Sequence, residues 1–202
     1  KFKYEMLDRK ALLDIQPGLG PDVVGGSWCP HDGHVNPLYL LRSLHNCFLT
    51  RNGQLLHDAE VFDITHEEGV FDVFSRKGQF QAPCLVLAAG LGNRKLAPLI
   101  GLKQPVRPQK GQILVTQKID KLIDVPMTLL RQTAEGSIMI GDSKEEVGFD
   151  ISSSIDIMAQ IADRARRTLP VLEKQQIIRS WAALRVMSPD GFPMYDQSES
   201  CP

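Results

Sequence analysis

Val61-Phe-Asp-Ile-Thr-His-Glu-Glu-Gly-Val-Phe-Asp-Val-Phe-Ser-Arg-Lys-Gly-Gln-Phe-Gln-Ala-Pro-Cys-Leu-Val-Leu-Ala-Ala-Gly90 is the stretch on which the fold turns. Its first part has a period of two: Phe62 and Ile64 alternate with Val61 and Asp63. Glu68-Gly69 and Lys77-Gly78 supply turns, so residues 54 to 89 read as a β-meander. The meander ends in Cys84 to Ala89, apolar on both faces as a central strand should be. Gly90-Leu-Gly-Asn93 then opens a short helix toward Leu99. The small-residue bend Ala88-Ala-Gly-Leu-Gly92 lets a ligand approach the backbone and aims amide N–H groups at it. A tight strand-to-helix turn with no ligand fits the same spacing.

Upstream, a short helical piece and a turn cluster occupy the opening through Gln16-Pro-Gly-Leu-Gly-Pro21. Val23 to Trp28 reads as a strand. Asn36-Pro37 supplies an N-cap and a first-turn proline. Leu38, Leu41, Leu44 and Phe48 form an apolar stripe, and Asn52-Gly53 stops the helix. Downstream, Gln112 to Gln117, Met127 to Thr133 and Ser137 to Gly141 read as strands, the last two joined at Glu135-Gly136. A helix is expected from about Ser153 to Leu169, with Ile155, Met158, Ala162, Ala165 and Leu169 on one face. Asp156 near its start and Arg164, Arg166 and Arg167 near its end match the helix dipole. Pro170 halts it. The pattern is α+β: an antiparallel sheet with flanking helices, joined to the meander and its apolar strand.

The chain has 202 residues, 43% hydrophobic and 23% charged, with a net charge of −1. Interspersed charges give no electrostatic surface for nucleic acid. No apolar stretch approaches the roughly 18 residues of a membrane span. Lys1 to Lys10 is not a signal peptide. Cysteines stand at 29, 47, 84 and 201 with no C-x-x-C pair; Cys47 and Cys84 fall in patterns where buried free thiols are common. A reducing, cytoplasmic setting is expected. No initiator methionine begins the chain, and its stop at Ser-Glu-Ser-Cys-Pro202 reads as the edge of a larger protein.

One residue stands out for chemistry. In Ser180-Trp-Ala-Ala-Leu-Arg-Val-Met-Ser-Pro-Asp-Gly-Phe-Pro-Met194 an apolar stretch delivers Arg185, and a turn follows at once. A charge at the end of such a strand requires a partner. A planar two-pronged donor suits a carboxylate, either one of the protein's own or a substrate's. Cys29-Pro-His-Asp-Gly-His34 has metal-ligand residue types, but Asp32-Gly33 reads better as turn chemistry, and no metal is expected. Ser27, Ser43 and Ser188 lack base partners in the pattern, and G-x-S-x-G is missing. His57 and His66 are expected as exposed meander residues. Ser152-Ser-Ser154 is expected to cap a helix, and Arg107 and Lys110 to be solvated loop cations. Tyr4, Tyr39 and Tyr195 are too scattered to nominate.

Several of these segments resemble one family. Trp181-Ala-Ala-Leu-Arg185 with Pro189-Asp-Gly-Phe-Pro193 is similar to the W-A-G-L-R-P-x-T-x-D-G-x-P segment of the FAD-dependent D-amino-acid oxidase / glycine oxidase superfamily, with Ala183 for Gly and Val186 for Pro. Asp58-Ala-Glu-Val-Phe-Asp-Ile64 and Ala82 to Gly90 resemble its a-x-V-x-x-I and a-x-x-V-V-x-A-A-G stretches. Pro105-Val-Arg-Pro-Gln-Lys-Gly-Gln112 resembles P-V-x-P-x-[RK]-G-Q, Ile140 to Glu146 resembles I-G-x-T-x-E, and Pro30 to Pro37 resembles x-D-G-x-V-x-P. These landmarks occur in family order.

The resemblance implies that Arg185 binds a substrate carboxylate and that Val61, Ala89 and Gly90 lie along FAD. It implies residues 1–53 linking flavin and substrate domains, a partial FAD-binding domain at 54–100, a substrate-binding domain at 101–180, and a return strand at 181–202. The meander and strand are then the remnant of an FAD-binding α/β domain. The fingerprint G-x-G-x-x-G, which holds the pyrophosphate in the family, does not occur. The expectation is therefore the middle part of a flavoenzyme that oxidises the C–N bond of an amino acid or amine, inactive by itself and holding FAD weakly or not at all. The residues assign no oligomeric state. A non-catalytic α+β module that binds a small carboxylate or a protein partner remains an alternative, as does an NAD-linked opine-type dehydrogenase.

Overall fold

The structure is a computed structural model that describes residues 3–201. The chain divides into two compact units, each built from two stretches: Lys1–Arg42 with Lys110–Leu184, and Ser43–Gln109 with Arg185–Pro202.

In the first unit β1 (Glu5–Asp8) pairs antiparallel with β2 (Gly25–Trp28), and α1 (Arg9–Ile15) lies between them in sequence. Asp8 ends the strand and starts the helix, its side chain accepting the Ala11 N–H at 2.8 Å. The turn after α1 docks on the C-terminus of α4 (Ile155–Thr168). Gly20 N–H donates to Thr168 O at 2.9 Å, and a Cβ on Gly20 would lie only 1.9 Å from Arg167 O. Arg9 clamps the same turn, donating to Gly20 O and Val23 O at 2.6 Å each.

The main sheet has the order β7-β8-β6-β9, with β6 (Arg107–Lys118), β7 (Leu130–Gln132), β8 (Ser137–Ile140) and β9 (Ile177–Met187). Alternate residues Leu114, Leu130, Ile138 and Ile140 point to one face and pack on Ile161, Ala165 and Leu169 of the α4 side. The expected helix is present with Ser154 at its N-cap position, though the Ser154 side chain makes no cap bond. Its buried line is shifted: Ile161 is 1% exposed and central to the core, whereas Ile155 is 76% exposed. Residues 157, 158, 161, 162, 165 and 169 make the inner stripe, and Ile155 sits in the first turn, before the sheet begins to cover the helix.

In the second unit β3 (Val61–Glu67), β4 (Val70–Ser75) and β5 (Gly78–Ala82) form the meander. Glu68 and Gly69 both have positive φ, 50° and 79°, matching the right-handed strand twist in a two-residue turn. Ile64, Phe71 and Ile100 are its buried core, with Val61, Leu85 and Leu87 packed against them.

Several expectations are corrected. Cys84 to Ala89 is not a paired strand among the described residues. Leu85 and Leu87 turn inward, while Cys84, Ala88 and Val86 (80% exposed) face out. A strand apolar on both faces needs cover on both, and here one face is covered. Cys47 and Cys84 are accordingly exposed. His66 is half-buried against Phe71 at 4.4 Å between ring centroids, and His57 lies in an exposed turn outside the strands.

The helix α2 (Pro37–Thr50) starts where expected, with Asn36 Oδ1 accepting the Leu38 and Tyr39 N–H groups at 3.0 and 3.3 Å. Its apolar stripe is exposed throughout. Among the described residues no helix is long and apolar enough to cross a membrane.

Candidate functional site

In the second unit the bend Ala88 to Gly92 runs directly into the short helix α3 (Asn93–Leu96). Asn93 ties it together: its Oδ1 accepts the Ala89 N–H at 3.2 Å, and Gly92 N–H donates to Ala89 O at 2.9 Å. Gly90 has φ 56°, a left-handed value that favours glycine. A Cβ there would lie 3.4 Å from Val186 Cγ2, so the chain just after Arg185 packs on the bend. Ala88, Ala89 and Gly92 are exposed and carry nothing larger than a methyl. This surface suits a flat ligand lying against backbone. Val61 packs in the cluster that also holds Leu85 and Leu87, which lead directly into Ala89.

Arg185 is half-buried and already engaged within the chain, so a ligand acid group there would share or exchange a partner. The strand that delivers it is more open than its composition suggests: Ile177 and Ile178 are exposed because β9 is an edge of the sheet. Immediately after it, Asp190 Oδ1 accepts the Phe192 N–H at 3.0 Å, and the Ser188 hydroxyl donates to Phe192 O at 2.6 Å. The Phe192 N–H, then the Ser188 hydroxyl, hold the Asp190 carboxyl below the usual range. Ser188 is thus a turn residue, its hydroxyl tied to Phe192 O and to the Asp190 carboxylate, which the Phe192 N–H also occupies.

The first unit joins two segments that the sequence shows separately. Lys110, 3% exposed, is no solvated cation. Its Nζ lies 2.7 Å from Asp150 Oδ2 and 3.3 Å from Glu145 Oε2, and donates to Ser152 O at 3.0 Å. Gln112, 0% exposed, donates from Nε2 to Glu145 Oε1 at 3.0 Å and accepts the Ser154 N–H at 3.0 Å. Ser143 Oγ accepts the Gln112 N–H at 2.9 Å. The hydrogen bond to Asp150 raises the Lys110 pKa against the opposing effect of burial. Burial pushes Glu145 up, but hydrogen bonds from Ser143, Gln112 and Lys110 outweigh it and leave it lowered. Asp150 is held well below the carboxylate range, first by Lys110 and then by Ser152. Such a saturated network is structural: it fixes β6 to the segment after β8 and to the N-terminus of α4.

On the sheet face away from α4 lies a cleft of ≈ 660 Å³, lined among others by Leu12, Ile15, Trp28, Leu129, Arg131 and Met139. Strand alternation places Arg131 and Met139 there, because their neighbours Leu130, Ile138 and Ile140 point into the core. Nothing in the spacing of Arg131 marks it; only the sheet shows it facing a cavity. His34, one of the residues with metal-ligand character, lines the same cleft. Among the described residues no group of three or more His, Cys, Asp or Glu could hold a metal ion.

The sequence pattern of one protein family, FAD dependent oxidoreductase, matches residues 1–201. A protein of Agrobacterium tumefaciens (strain Ach5), an opine oxidase subunit, is 42% identical over 200 residues, covering 99% of this chain and 54% of that protein. The protein of the same name in Rhizobium meliloti is 41% identical, over 98% of this chain and 54% of its own length. The chain therefore spans about half the length of these curated relatives. Among solved structures, glycine oxidase from Geobacillus kaustophilus superposes with a TM-score of 0.89 at 23% identity, over 98% of this chain and 55% of that one. At that identity the likeness speaks for the fold.

Proposed function

This chain belongs to the FAD dependent oxidoreductase family, and we propose that it forms the middle of an enzyme that oxidises the C–N bond of an amino acid or amine. The observation that carries the proposal is the contact of Val186 with Gly90, which sets the end of the arginine-bearing strand beside the small-residue bend. Ala89 and Gly90 give the cofactor a surface without bulky side chains, and Val61 supports that segment from the meander.

Bound FAD would supply the redox chemistry, as acceptor of the two electrons that oxidation of the C–N bond releases. The residues of the chain supply placement. Arg185 receives the substrate carboxylate through two parallel N–H···O bonds and so fixes which C–H faces the cofactor. The relatives named for opine oxidase make an opine the favoured substrate, in a reducing, cytoplasmic setting.

The test is Arg185→Ala in the flavin-loaded enzyme. The substrate KM rises sharply while flavin content stays unchanged, because the side chain holds substrate and not cofactor. Unaltered kinetics would remove Arg185 from the site.

A further inference from the structure

Asn93 does not serve the helix it begins. An Asn at the start of a helix ordinarily accepts N–H groups of that helix's own first turn. In α3 the residue before it is Gly92, and no side-chain cap bond is made. The amide of Asn93 instead reaches back along the chain. Its Oδ1 accepts the Ala89 N–H at 3.2 Å, and its Nδ2 donates to Leu87 O at 3.4 Å. In an extended segment the carbonyl of one residue and the N–H two residues on point to the same side, where a neighbouring strand would meet them. Cys84 to Ala89 is paired with no strand among the described residues. At its end one side chain stands in for the missing neighbour.

Ala88 and Ala89 are exposed, Gly90 takes φ 56°, and the Ala89 carbonyl already accepts the Gly92 N–H at 2.9 Å. Both polar groups of Ala89 are therefore engaged, and a flat ligand can cover its peptide without stranding a donor. A donor left unpaired under a ligand costs far more than one left in water. We propose that Asn93 is a positioning residue for the cofactor, keeping the Ala89 N–H satisfied when the bend is covered by FAD. That role rests on the reading of Ala89 and Gly90 as the flavin surface, and adds the group that makes this surface coverable. Because Ala89 is exposed, water replaces the Asn93 amide in a variant that holds no flavin. The loss then falls on binding and not on folding.

The test is FAD affinity in the full-length enzyme, stripped of flavin and titrated by fluorescence quenching, beside the melting temperature of the flavin-free protein. Asn93→Ala raises the FAD Kd about tenfold and moves the flavin-free melting temperature little. Asn93→Asp keeps the shape and the acceptor, and recovers most of the affinity at high salt, where its charge is screened; it also serves if Asn93→Ala does not fold. A lowered melting temperature with an unchanged FAD Kd would make Asn93 a structural residue and overturn the proposal. An Asn93→Asp variant as weak as Asn93→Ala at high salt would overturn it too. Wild-type enzyme that takes up no FAD would sink the functional reading and this role with it, whereas equal uptake by wild type and Asn93→Ala would remove Asn93 alone.

Discussion

Val186 Cγ2 lies 3.4 Å from where a Cβ on Gly90 would sit, and Gly90 has φ 56°. The bend therefore excludes a side chain on two grounds, the contact and the backbone. Gly90→Val is expected to cost about 1–2 kcal/mol from the left-handed conformation alone. In the flavin-loaded enzyme its melting temperature and its flavin content both fall. Retention of full flavin content in this variant would separate the bend from the cofactor.

Gly20 meets a harder limit. With Arg167 O 1.9 Å from its would-be Cβ, the turn after α1 has to move away from α4 to admit any side chain. Gly20→Ala is expected to destabilise by about 1–3 kcal/mol, the usual range for overpacking. Urea denaturation measures it, and an unchanged midpoint would show that the turn yields freely.

The Lys110 network sets a pH window. Asp150 and Glu145 have lowered pKa values, so their stabilisation is complete above the unfolded carboxylate range, about 3.9 to 4.3, and is lost as pH falls through the lower folded values. Lys110 has a raised pKa, so its stabilisation is complete below about 10.4 and is lost as pH rises through the folded value. Stability of the first unit should be flat between these limits and decline on both sides. Lys110→Met should lower the plateau and blunt the alkaline decline. An alkaline decline as steep as wild type's would assign it to other groups.

Ile161 and Ile155 test which stripe of α4 is the inner one. Ile161→Ala removes a side chain that is 1% exposed, and about 2–5 kcal/mol is expected to go with it. Ile155→Ala, at 76% exposed, should stay within about 0.5 kcal/mol of wild type. Equal losses would mean that the helix packs along the line its sequence spacing suggests.

Local chemistry was legible at several turns and at the start of α2. Asn36 caps α2, and Glu68-Gly69 and Glu135-Gly136 turn the chain, because each of these depends on residues within a few positions; the expected pairing of Phe62 with Ile64 on one face fails, since an irregularity between Val61 and Asp63 leaves Phe62 exposed while Ile64 is buried. The quoted family segments brought Arg185, Val61, Ala89 and Gly90 forward as site residues. The partners of a long-range network were not legible. Gln112 and Glu145 stand 33 residues apart and look like two unrelated polar residues until β6 and β8 pair.

What the sequence determined by itself was most of the elements, though neither β1 nor the unpaired course of Cys84 to Ala89, together with their turns and the family to which they belong, since periodicity, caps and ordered motifs are written along the chain. Tertiary structure alone decided which charges are spent on the protein and which face a cavity. It buried Lys110 among carboxylates and turned Arg131 toward a cleft, although the sequence marks neither, reading the first as a loop cation and the second as one cation within a strand. The reason is electrostatic: the cost of a charge depends on what surrounds it in space, and spacing along a strand carries no record of that.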